Sequence, residues 1–124
     1  MRTILLIAIA SILMNGCATV DSLQPGASGG TKIIVVDKTY DQVWKASVKA
    51  ISQQLAIVEI SKETGVIKAE KSADVFTWGE VIGVFISPAN KPSNKYTVEV
   101  QSFKRSKLQI TGQDWTKNII TGIE

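Results

Sequence analysis

An uncharged, mainly apolar run from Ile4 to Met14 sets the first constraint, because it decides how much of the chain is left to build a core. Only Arg2 carries charge ahead of it, and Asn15-Gly16 ends it after eleven residues. A helix that crosses a bilayer needs about 20 apolar residues, so this run is too short to span. A charged start, a short apolar centre and small residues at its end form the layout of a secretory signal. Removing residues 1–16 from a chain of 124 leaves 108, room for one domain.

The run ends beside Cys17, the only cysteine in the chain. The stretch Leu13, Met14, Asn15, Gly16, Cys17, Ala18 resembles the lipobox of bacterial lipoproteins. In that family a small residue precedes a cysteine that takes diacylglycerol on its sulfur and becomes the mature N-terminus. Met14 and Asn15 depart from the family's preferred leucine and small residue, whereas Gly16 and Cys17 occupy its stringent positions. The resemblance implies a membrane anchor at Cys17. Ala18 in place of aspartate implies sorting to the outer membrane, facing the periplasm. The other reading is an ordinary secretory signal or an uncleaved anchor with a free thiol. An unpaired thiol is a liability in an oxidising compartment, and lipidation consumes it.

Composition narrows the chemistry. The formal charge of +3 falls to +2 once Arg2 leaves with the signal, and no basic run is interleaved with aromatics, so nucleic acid is not an expected partner. Histidine is absent and the single cysteine is spent on lipid, which removes two residue types that do most metal ligation and acid/base work. We therefore expect no metal, no cofactor and no enzymatic activity.

Residues 17–31, the lipidated cysteine and a Gly/Ser/Ala-rich stretch without hydrophobic periodicity, read as a flexible tether with a root-mean-square span of about 20 Å. Residues 32–124 read as a single domain. A β-branched strand at 32–36 precedes a helix opened by a Thr39/Gln42 capping box. Tyr40, Val43, Trp44, Val48, Ile51 and Leu55 then fall on one apolar stripe, while Asp41 and Lys45 sit one turn apart on the wet face. Strands are expected at 56–61 and 66–72, joined by a tight turn with Gly65 in the left-handed position. A central strand is expected at 78–87, with Gly83 marking a bulge or a close approach. The polar loop 87–94 is longer than a hairpin needs and is a candidate contact site. Tyr96, Val98 and Val100 alternate with polar residues in a further strand, and 108–110 read as the last one. The cluster Lys104, Arg105 and Lys107 is either a solvated tip or a contact for anionic headgroups. Trp115, Ile119 and Ile123, four apart, define a terminal helix, with Thr111 and Asp114 spaced as a capping box. The expected fold class is α+β: an antiparallel sheet of about five to six strands with two helices packed on one face, in strand-helix-strands-helix order.

The folded part resembles a family of small uncharacterised bacterial domains, often carried on lipoproteins. The counterparts of its motifs are Tyr40 and Trp44, Trp78-Gly79-Glu80, and Asp114, Trp115, Thr116, Lys117, Asn118, with Thr116 where that family has glycine. The resemblance brings no established activity with it. It does single out Trp78, Glu80, Asp114, Trp115, Lys117 and Asn118 as candidate binding residues. Two readings of them stand side by side. In one they converge to bind a small polar or sugar-like ligand. In the other Asp114 caps a helix, Lys117 pairs with Glu80, and the tryptophans seal the core edge. For the whole protein the expectation is a lipid-anchored module that binds an envelope protein. The alternatives are a carrier or sensor of a small apolar ligand held between sheet and helix, and an envelope hydrolase using Glu80 and Asp114 in an open cleft.

Overall fold

The computed structural model describes residues 19–27, 29–73, 79–105 and 114–124. After a short 3-10 turn, Val20–Ser22, the elements are β1 (Thr31–Val36), α1 (Tyr40–Ser52), β2 (Ala56–Ser61), β3 (Val66–Lys71), β4 (Glu80–Ser87), β5 (Lys95–Lys104) and α2 (Thr116–Ile123). The strands form one antiparallel sheet in the order β1-β5-β4-β3-β2. This is the expected α+β fold. The strand expected at 108–110, Trp78 and Cys17 lie outside the described residues.

The length of one helix is compatible with the topology. β2 to β5 form a meander, and β1 closes the far edge beside β5, so α1 joins strands at opposite edges of the sheet. Four interstrand gaps of about 4.8 Å make about 19 Å. The 13 residues of α1, at 1.5 Å each, span about the same length. The helix begins where its capping box predicts: the Gln42 amide donates to Thr39 Oγ1 at 3.2 Å and the Thr39 amide to Gln42 Oε1 at 2.8 Å.

Each strand's alternation divides its side chains between two layers. Ile67, Ala69, Ile82, Val84, Ile86, Tyr96, Val98 and Val100 face α1 and α2, where they meet Val43, Trp44, Ile51, Ile119 and Ile123 in the main core. Trp44 is thus a core residue. Burying each large side chain of this set contributes about 1.5–3 kcal/mol.

The opposite face holds the main correction to the sequence reading. The segment expected as a flexible tether lies from Thr19 onward as a strap across the sheet. Leu23 is fully buried and forms a second cluster with Val81 and Phe85, edged by Val20, Val66 and Phe103. The Gln24 amide donates to Gln101 Oε1 at 3.2 Å, and the Gly26 amide to Glu99 Oε1 at 2.7 Å. Composition concealed this because one leucine in a Gly/Ser/Ala background shows no periodicity, while the polar partners that dock the strap lie more than 70 residues away.

Two smaller corrections have similar causes. β4 keeps continuous register with both neighbours, so Gly83 marks no bulge. A side chain there would meet the Phe85 ring first and then Leu23 of the strap, so the close approach is made by side chains. The register shift lies instead in β2, between Ile57 and Glu59. The terminal helix also starts later than the Thr111/Asp114 spacing suggests. Thr111 is outside the described residues, Trp115 is the N-cap, and Asp114 Oδ1 accepts from the Thr116 amide at 2.9 Å.

Candidate functional site

Of the six residues singled out from the sequence, Trp78 lies outside the described residues, and the other five differ in burial. Glu80 opens β4 on the helix side of the sheet and is 2% exposed. Trp115 packs on the same side, where its backbone amide donates to Ser102 Oγ at 3.1 Å. Ser102 faces Ile82 across the β4/β5 ladder, two residues along from Glu80, so Glu80 and Trp115 are near neighbours in the core margin. Asp114, Lys117 and Asn118 are exposed. The reason is helical geometry: Trp115, Ile119 and Ile123 take the inner face of α2, and at about 100° per residue Lys117 is turned about 200° from Trp115. Among the described residues no ion pair joins Lys117 to Glu80. Glu80 is thus buried while Asp114 is exposed.

A groove of about 380 Å³ opens elsewhere, where the start of α1 meets the 87–94 loop that the sequence had marked as a contact candidate. Tyr40 and Tyr96 line it, with ring centroids 5.7 Å apart. Both hydroxyls are committed to backbone carbonyls: Tyr40 donates to Lys62 O at 2.6 Å and Tyr96 to Lys91 O at 2.5 Å. These bonds hold the hairpin turn and the loop against the helix start. Burial pushes the Tyr40 hydroxyl above its usual pKa, against the opposing effects of the Asn90 backbone and the Lys62 charge, so it stays protonated.

Lys38, Lys62 and Lys91 ring the groove with one carboxylate, Asp41. Asp41 bonds Lys62 at 2.7 Å and Lys45 at 2.9 Å, and these bonds hold its carboxyl below the usual range. Lys38 turns to the end of α2, donating to Ile123 O at 3.1 Å and Glu124 O at 2.8 Å, where a cation suits the helix terminus. The groove can therefore receive a polar or anionic group. Its basic residues come from three separate connections, so no local motif announces it. Among the described residues no group of three or more His, Cys, Asp or Glu gathers to hold a metal ion.

The outer strand β2 is the more unusual surface. Its sequence, Ala-Ile-Val-Glu-Ile-Ser, is that of a buried strand, yet Val58 and Ile60 are 51% and 50% exposed. Its outer edge has no neighbouring strand among the described residues. No protein-family model matches this chain, and no curated protein matches it significantly.

Proposed function

We propose that the chain is a lipid-anchored, non-enzymatic module of the bacterial cell envelope, acylated at Cys17, held at the outer membrane facing the periplasm, and bound to an envelope protein along β2. The observation that carries the reading is the exposure of Val58 and Ile60 on an edge strand of buried-strand composition. An edge of this kind presents unpaired backbone groups together with apolar side chains, the combination that accepts an added strand from a partner. The lipobox-like sequence at Cys17 supports the anchor.

Carriage of an apolar ligand between sheet and helix has less support. Val43, Trp44, Ile51, Ile82, Val84 and Val98 occupy that space as part of one buried cluster.

The test has two arms. Intact mass and membrane fractionation of wild type and Cys17→Ala read the anchor: residues 17–124 plus acyl chains, with release of the variant, is the expected result. A photoreactive side chain at Val58 should trap one envelope protein in cells, and Val58→Asp with Ile60→Asp should abolish the association without lowering the folded fraction. No adduct, or an association indifferent to the double substitution, would overturn the partner reading.

A further inference from the structure

The sheet face beneath the strap is also the face on which the chain enters the domain. Val20 and Leu23 pack there against Val81, Phe85 and Val66. Only Ala18 separates Cys17 from Thr19. Two residue steps reach at most about 7 Å, so a lipid on Cys17 leaves the protein beside this face.

The rest of the face suits a lipid surface. On β1, Ile33 and Val35 turn to the main core, which puts Lys32, Ile34 and Val36 on the strap side. Ile34 and Val36 are 66% and 54% exposed, the two highest values among the large apolar side chains of the described residues. Lys32 is exposed on the same strand, and exposed Lys95 is the cross-strand partner of Val36. The face's acidic residues are turned to other uses. Glu99 accepts from the Gly26 amide under the strap, Glu59 pairs with Lys68 at 3.4 Å, and Glu70 pairs with Arg105. Asp21 remains exposed on the strap. Two outward apolar residues flanked by two lysines match an interface with apolar material below and anionic headgroups at the rim.

We infer that this face lies flat on the anionic phospholipid surface, with Ile34 and Val36 at the headgroup boundary and α1 directed away from the membrane. The inference rests on the anchor reading of Cys17. It makes residues 19–27 an orienting strap, so the β2 edge and the tyrosine-lined groove are presented in a fixed pose.

Acylation consumes the native thiol, so an added cysteine can be labelled alone. Full-length Ile34→Cys and Lys49→Cys proteins, the second labelled on α1, would be acylated in a bacterial host and purified. Each would carry an environment-sensitive fluorophore in vesicles of phosphatidylethanolamine and phosphatidylglycerol containing spin-labelled lipid. Quenching at position 34 should exceed that at 49 by about threefold or more, as expected for a probe at the boundary against one well above it. Exchanging both Lys32 and Lys95 for Glu should lower quenching at 34 in these vesicles. Equal quenching at 34 and 49 on a protein of acylated mass overturns the orientation and leaves the anchor standing. An unacylated mass overturns both.

Discussion

Gln101 holds the backbone of Gln24 at both ends across 77 residues of sequence: its side-chain carbonyl accepts from the Gln24 amide at 3.2 Å, and its side-chain amide donates to the Gln24 carbonyl. A fully buried side chain thus imitates a strand neighbour and docks an otherwise irregular segment on the sheet. Gln101→Leu should leave both Gln24 groups without these partners, at a cost of about 1–3 kcal/mol. Limited proteolysis should cut within residues 24–30 of the variant well before the wild type. Equal cutting rates would show that the strap does not depend on this pair.

Among the described residues Leu23 is the strap's only fully buried apolar side chain, and its loss would leave a gap beside Val81 and Phe85. Leu23→Ala should destabilise the domain by about 2–4 kcal/mol. Denaturant unfolding checks this. An effect near zero would mean that the strap adds nothing to the fold.

Gly65 sits at φ 71°, and a side chain there would lie 2.4 Å from the Ile86 carbonyl oxygen. Its own carbonyl accepts from the Ile86 amide at 2.9 Å, so the turn has little room to shift. Gly65→Ala should cost more than about 1 kcal/mol, read as a lowered thermal midpoint.

Asp41 gives a pH signature. Its bonds to Lys62 and Lys45 keep the carboxyl pKa lower in the folded protein than in the unfolded chain. The resulting stability is present above about pH 4 and is lost as pH falls through the depressed folded value. Asp41→Asn should therefore be less stable than wild type near neutrality, by a small amount because both ion pairs are solvent-exposed, and the gap should close in acid. Denaturant curves across that range check the sign.

The legible parts of this protein were those governed by contacts close in sequence. The capping box of Thr39 and Gln42, the stripe carrying Trp44 and Ile51, the left-handed Gly65 and the inner face of α2 each depend on neighbours a few residues away. The candidate binding residues are a different case, because a motif says nothing about which way each side chain turns. The phase of α2, set by three apolar residues, sends Lys117 and Asn118 outward while Glu80 stays inside.

By itself the sequence determined the α+β class, the two helices and the five strands of the described residues, because periodicity and capping are local. Only the tertiary structure decided that residues 19–27 dock rather than dangle, that Lys38, Lys62 and Lys91 ring one groove, and that β2 is left exposed at an edge. Those outcomes depend on strand order, which places β1 and β2 at opposite ends of the sheet and sets Gln101 and Glu99 beneath a segment more than 70 residues away. Nothing in local periodicity encodes strand order, because it is selected by the collective burial of both faces of the sheet.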